Sequence, residues 1–447
     1  MQNPATFDSY LGPPYAAHLD TLDKRLDDAL GACGFDALCV FAGTEQVPPR
    51  DDVVYPFRVE PYFKAWVPLT DAVGSVLRLV PGRRPELIFL QPEDFWHAPP
   101  ADPAGFWTEF VDVRVARNEA EVEHALGNVG ARAAAIGKPG GVASLFASVN
   151  DPGLIRRLDF FRACKTPYEV ACLERASALA ARGHRAVAEA FAADTSELDL
   201  HQRYCEAVGQ RESELPYHAI VAIDRHAAVL HYQNLSSAAP ERAATLLIDA
   251  GASSLGYASD VTRTTVRHAP EFEALRDSLD TLQRTLCREL RPGVDFVALH
   301  ERAHELLAGV MHEHGLLRCG AEEALAHGVT RTFLPHGLGH LLGLQVHDAG
   351  GRLISPDGEE RPPPPEHPFL RLTRRVEEGF AVTIEPGIYF IPALLRTMAA
   401  PNRLRVDWDK VERMLPNGGI RIEDDVLVEA GGIRNLTREA FAASAVT

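Results

Sequence analysis

Four acids stand where apolar side chains would be expected. Asp249 ends the run Leu246-Leu247-Ile248, Asp260 opens the strand-like SDVTRTTV, and the segment between them is rich in glycine and serine. In a hairpin centred on Ser254 and Leu255 the two aspartates are equally far from the turn and directly opposite. Their Cβ atoms would then be about 4.5–5.5 Å apart. Carboxylates that close repel unless a proton or a cation lies between them. Glu385 in AVTIEPGIYF and Glu423 in GIRIEDDVLV interrupt apolar strand-like runs in the same way. A glutamate is seldom buried without a partner. The plainer readings are solvated loop acids for the aspartates and edge-strand or ion-paired acids for the glutamates. Arg421 shares Glu423's face by period-two alternation and could pair with it.

Three histidines, His336, His340 and His347, fall within PHGLGHLLGLQVHD, among glycines that let backbone approach a site closely. Neutral imidazole is a common metal ligand. Taken together, Asp249, Asp260, Glu385 and Glu423 bring about four negative charges into apolar strands, which two divalent cations would offset, with His340 completing the set. An oxygen-rich, sulfur-free set suits Mn²⁺ or a similar ion better than structural zinc. Two such ions about 3.5–4 Å apart can hold a bridging hydroxide and polarise a carbonyl, so the implied reaction class is metal-assisted hydrolysis.

A competing motif is His300-Glu301-Arg302-Ala303-His304, which fits the zinc-protease pattern H-E-x-x-H. No persuasive third ligand follows it, Glu323 being the acid in reach. Its helix carries an ordinary apolar stripe (Phe296, Leu299, Ala303, Leu306, Leu307, Val310). No phosphate-binding loop, nucleophile elbow or dinucleotide fingerprint is present.

The elements that must position these residues read as two α/β domains. Over residues 1–160, a helix through HLDTLDKRLDDAL alternates with strands in DALCVFAG and PELIFLQ, a helix in AEVEHAL and a strand in ARAAAIG. Asp151-Pro152-Gly153 is a turn signal. Thr166 and Pro167 read as N-cap and first residue of a long helix opening the second domain, 161–447. There, strand-like runs alternate with helices near 271–290 and 295–314, and RPPPPEHP at 361–368 is a rigid connector.

The length of 447 residues suits two or three domains. A net charge of −17 repels phosphate backbones, so nucleic acid is not an expected partner. Seven scattered cysteines without a C-x-x-C pair suit a reducing compartment. No secretory pattern or 18-residue apolar run occurs. The expectation is a cytoplasmic protein that engages no membrane.

These segments, in this order, resemble the pita-bread metallopeptidases, and within them the bacterial Xaa-Pro dipeptidase branch that includes the organophosphorus acid anhydrolases. The family's ligand order Asp, Asp, His, Glu, Glu is matched by Asp249, Asp260, His340, Glu385 and Glu423, with the same spacing between the aspartates. DDVVYPFRVEPYFKAW, PEDFWH, ELPYHAIVA, AVLHY, EHPFLRLTRR and VDWDKV extend the resemblance over nearly the whole chain. It implies a small N-terminal α/β domain followed by a pita-bread catalytic domain. It also implies two divalent ions per subunit, Mn²⁺ foremost with Co²⁺ or Zn²⁺ as alternatives. Hydrolysis of Xaa-Pro dipeptides, a side activity on phosphotriesters, and a homodimer follow as expectations. By the same resemblance Glu385 moves a proton, His231 and His347 flank the metals, and His336 and Arg421 line the pocket. Tyr217 forms a wall, Arg371 holds the dipeptide carboxylate in competition with Arg374 and Arg375, and Asp52 reaches the partner's pocket. The alternatives are an aminopeptidase P acting on longer peptides and a catalytically silent interaction protein.

Overall fold

The computed structural model describes residues 4–127, 129–191 and 195–444. Its contacts divide the chain into two compact units, Met1–Ala171 with Ser355–Glu359, and Cys172–Ile354 with Glu360–Thr447.

In the first unit, helix α1 (Pro4–Cys33) precedes a six-stranded mixed sheet. Its strands are β1 (Ala37–Phe41), β2 (Val76–Leu79), β3 (Glu86–Leu90), β4 (Asp112–Ala116), β5 (Ala133–Ile136) and β6 (Ser148–Val149), in the order β4-β3-β2-β1-β5-β6. Strands β2, β4 and β6 were not among the sequence expectations. β4 exposes four of its five residues, so it carries little hydrophobic signal. Helices α2 (Pro61–Trp66) and α3 (Glu119–Leu126) join the strands. The core gathers Cys39, Phe41, Ile88, Leu126 and Ala135. Helix α4 (Pro152–Arg162) starts at Asp151, whose carboxylate accepts the N–H groups of Gly153 and Leu154. Helix α5 (Pro167–Phe191) follows, and Thr166 and Glu169 cap each other reciprocally at its start.

The second unit holds short antiparallel sheets backed by long helices. Helix α6 (Glu197–Val208) carries a capping box, Ser196 with Asp199, and ends at left-handed Gly209. Strands β7 (Ile220–Ile223), β8 (Thr245–Asp249), β9 (Ser253–Ser254), β10 (Tyr257–Ala258) and β11 (Thr262–Val266) come next. Sheet β11-β8-β7 is one layer and β9-β10 forms the tip of its hairpin. Helices α7 (Pro270–Glu289) and α8 (Phe296–Glu313) then precede β12 (Ala381–Ile384), β13 (Gly387–Tyr389), β14 (Gly419–Arg421), β15 (Asp424–Glu429) and β16 (Gly432–Asn435). β12 pairs with β15, and β13 with β14.

Two sequence expectations are corrected here. The β8–β11 hairpin turns at Leu255 and Gly256, not at Ser254 and Leu255. Both turn residues have positive φ, 50° and 86°, the two-residue turn whose twist matches the strands. Asp249 therefore pairs with Thr262, and Asp260 lies diagonally across, two residues further toward the turn. Second, AVTIEPGIYF and GIRIEDDVLV are not single strands. The first breaks at Glu385-Pro386 and the second at Ile422-Glu423, each passing from one sheet to the other at the break. The two glutamates stand at these junctions, where Glu385 N–H donates to Leu338 O and Glu423 bridges Thr262 of β11.

Candidate active site

The second unit brings four carboxylates and one imidazole to a common point. Asp260, His340 and Glu423 each present a ligand atom within 4.8 Å of the others. His340 Nε2 lies 3.4 Å from Asp260 Oδ2 and 3.8 Å from Glu385 Oε1. Tyr217 Oη is 2.7 Å from Asp249 Oδ1 and 2.6 Å from Asp260 Oδ1, and its single proton can serve one of them at a time.

Backbone geometry sets this convergence. A side chain at Gly251 would meet Ser259 O at 1.9 Å and the Tyr217 ring at 2.9 Å. The close approach of β8, β11 and Tyr217 therefore needs glycine there. Gly339 is equally constrained, since a Cβ would lie 1.9 Å from Thr383 O. That contact lets His340 N–H donate to Thr383 Oγ1 and Thr383 N–H to His340 O, docking the histidine segment on β12. His340 Nδ1 lies 2.9 Å from Leu341 O, so in the neutral ring this nitrogen carries the proton and Nε2, on the acids' side, is the one free to ligate.

Charge is concentrated out of water. Burial, and then repulsion from Asp260, Glu385 and Asp249, pushes the Glu423 carboxyl well up. Burial lifts Glu385 to about 7, against partial relief from His340 and Arg421. Burial also raises Asp260, with Asp249 adding repulsion. For His340, burial favours the neutral ring, but Asp260 and Glu385 outweigh it and raise its pKa. Acids strained in this way, with a lone-pair nitrogen turned toward them, are a donor set that fits divalent cations. Asp249, Asp260, His340, Glu385 and Glu423 are the residues that could hold them.

Around the acids lies a network of donors. Arg421 donates to Asp249 Oδ2 at 2.6 Å, to Tyr389 Oη at 2.9 Å and to Thr262 Oγ1 at 3.1 Å. Its short ion pair is thus with Asp249, not with Glu423 beside it in sequence. Thr262 Oγ1 donates to Glu423 Oε2 at 2.6 Å. His336 sits 2.7 Å from Tyr389 Oη and 3.6 Å from Glu385 Oε2. Burial, helped by Arg421, lowers its pKa to about 4 and keeps it neutral. The His347 ring packs edge-on against His340, with centroids 4.4 Å apart, and burial lowers its pKa to about 3.

The remaining expected residues are placed as follows. His231 is exposed, on the segment after β7, and its charge bears on His336 and His347. Arg371 is exposed and its charge bears on His347. Its competitors are engaged elsewhere: Arg374 is buried against Phe380 and pairs with Glu377, and Arg375 donates to Gly293 O. Asp52 is an exposed residue of the first unit.

Sequence reasoning missed Tyr389, Asp424, Asp425 and Glu197. Asp425 accepts Asp260's backbone N–H at 3.1 Å and Ser177 Oγ at 3.2 Å, fixing Asp260 from behind. Asp424 is buried, yet Arg263 and Arg438 hold it ionised. Three consecutive acids in IEDDVLV were the available signal. Glu197, almost fully buried, accepts from Ile223 N–H, His226, Tyr232 Oη and Ser236 N–H, which ties down the segment bearing His231.

Known proteins match this arrangement. The profile of metallopeptidase family M24 covers residues 171–430, and that of the Xaa-Pro dipeptidase N-terminal domain covers 13–160. The chain is 46% identical over 431 residues to an Xaa-Pro dipeptidase of Xanthomonas campestris pv. campestris, covering 96% of this chain and 98% of the relative. It is 44% identical over 435 residues to one of Stenotrophomonas maltophilia, covering 97% and 98%. Among solved structures, Pseudomonas aeruginosa aminopeptidase PepP superposes with a TM-score of 0.71 at 22% identity, covering 97% of this chain and 99% of that one. Proline aminopeptidase P II from Yersinia pestis gives 0.69 at 22%, covering 95% and 100%. At that identity the structural likeness speaks to the fold alone.

Proposed function

The chain belongs to metallopeptidase family M24, and we propose that it is an Xaa-Pro dipeptidase built on the five-residue centre Asp249, Asp260, His340, Glu385 and Glu423. The observation that carries this reading is the convergence of these side chains on one buried point. Two divalent ions held there, Mn²⁺ foremost, would polarise the scissile carbonyl and supply a water acidic enough to attack near neutral pH.

The protein's own groups do the rest. An Xaa-Pro bond has no N–H, so a site that grips that donor gains nothing, whereas one that polarises the carbonyl does. Glu385, whose carboxyl titrates near neutrality in its buried setting, takes a proton from the attacking water and passes it to the departing proline nitrogen. His231 and His347 donate to the oxygen that becomes negative. Tyr389, Arg421 and His336 keep Asp249 and Glu385 in place. Arg371 clasps the dipeptide's C-terminal carboxylate, supported by the engagement of Arg374 and Arg375 elsewhere. In a homodimer, Asp52 of the partner subunit would select the free α-amino group. No helix among the described residues is long and apolar enough to cross a membrane. Seven scattered cysteines without a C-x-x-C pair support placing the activity in the cytoplasm.

The test compares an Ala-Pro dipeptide with a tripeptide of penultimate proline, using Mn²⁺-loaded protein. Cleavage of the dipeptide with little action on the tripeptide supports the reading. The reverse preference would assign the chain to aminopeptidase P chemistry, and action on neither would leave it a silent member of the family.

A further inference from the structure

The H-E-x-x-H segment has a place in the fold that dipeptide hydrolysis does not use. His300 and His304 lie one turn apart on α8, 1% and 2% exposed. A third imidazole, His367 from the proline-rich segment 361–368, meets them. The ring centroids are 4.8 Å (His300–His304), 4.3 Å (His300–His367) and 4.9 Å (His304–His367) apart. Each ring presents a nitrogen within 4.8 Å of one on each of the others.

Two observations point to a ligand. His300 Nδ1 and His304 Nε2 are buried without a hydrogen-bond partner among the described residues. An orphaned buried polar atom is costly unless something completes it. His304 Nδ1 lies 3.0 Å from Thr330 Oγ1, the outer hydrogen bond that orients a metal-ligating imidazole and leaves its other nitrogen free. Burial also pulls the pKa of all three rings down, so they stand in the neutral, ligand form.

We infer that His300, His304 and His367 form a mononuclear site for a borderline-soft cation, Zn²⁺ or Co²⁺, separate from the five-residue centre. Three nitrogens and no carboxylate suit such an ion better than Mn²⁺. A tetrahedral ion with Zn–N distances of about 2.0–2.1 Å sets its ligands about 3.3–3.4 Å apart, so each ring need move by less than about 1 Å. A cavity of about 230 Å³, lined in part by His300, His367, Arg331, Glu366 and His336, lies beside the three rings. Glu301 faces solvent, so it is not the base of a zinc protease. Glu323, the acid considered from sequence, is exposed and pairs with Arg405. The ion would instead clip segment 361–368 to α8, along a cavity wall that ends at His336.

The test uses the full-length protein, stripped with a chelator, titrated with Zn²⁺ and desalted. The wild type should retain one more Zn²⁺ per chain than His367→Ala and His300→Gln, each with an unchanged far-ultraviolet spectrum. In an Asp260→Asn background, Zn²⁺ should raise the melting temperature, and adding His367→Ala should abolish that rise. Equal Zn²⁺ counts in folded wild type and both variants, or an equal rise with and without His367, would overturn the site. The two arms share the Asp260→Asn change and differ only at His367, so their comparison stands whether or not the dipeptidase reading holds.

Discussion

Glu385 shows how one residue's chemistry is set by its surroundings. It stands where β12 gives way to β13, and burial among other acids lifts its carboxyl to about 7. Asp260 has no oxygen to spare, since it meets His340, Tyr217 and the shared charge. Asp260→Asn is therefore expected to lose bound Mn²⁺ and dipeptide turnover together, as measured by metal analysis and a proline-release assay. Normal turnover would remove it from the metal shell. Tyr389→Phe deletes the hydroxyl that joins Arg421 to His336. Partners of this outer kind typically contribute 10–100-fold, so we expect kcat to fall by roughly that factor with the metal retained. An unchanged kcat would show that the hydroxyl is a bystander.

At the scale of elements, the ligands are carried by junctions. The sequence displays the four acids and three histidines as misfits in apolar or glycine-rich runs, which is why the site is legible without a structure. It does not display the hairpin register, because nothing in SSLG marks Leu255 as the residue to take positive φ. Nor does it display the breaks at Glu385 and Glu423, since a run that changes sheet keeps its apolar pattern. His367 was invisible as a partner of His304, being 63 positions away in a segment that reads only as a stiff connector. Glu197 looks like a helix-start acid, yet it anchors four donors below the His231 segment. Removing it strands buried N–H groups, at a cost of about 1–3 kcal/mol each. Glu197→Ala should lower stability by about 3 kcal/mol or more in urea unfolding. A loss below about 1 kcal/mol would mean that the network relaxes to other partners.

Over the whole molecule, buried histidines dominate the response to acid. Burial lowers His184 and His336 to about 4 and His304 and His347 to about 3. Below about pH 6.5 the unfolded chain takes up protons that the folded one refuses, so stability present above that pH is lost toward pH 4. Glu385 works in the opposite sense. Its folded pKa is raised, so its contribution falls as pH rises from about 4.5 to about 7. Asp260, Glu423, Asp425 and Glu60 are raised in the same sense, making five acids against nine histidines that burial lowers. The melting temperature of chelator-treated protein should therefore fall between about pH 6.5 and about pH 4.5, and a flat profile would contradict this. Stabilisation by Mn²⁺ should be larger at pH 7.5 than at pH 5.5, because protons on Glu385 and its neighbours compete with the ion.

The central claim is that these five side chains hold a pair of cations on which Xaa-Pro hydrolysis depends. It is tested most directly by titrating chelator-stripped protein with Mn²⁺ and following release of proline from Ala-Pro. The rate should rise from near zero and level off at two equivalents per chain. Turnover that is undiminished in the stripped protein, or that stays absent at Mn²⁺ saturation, would contradict the account.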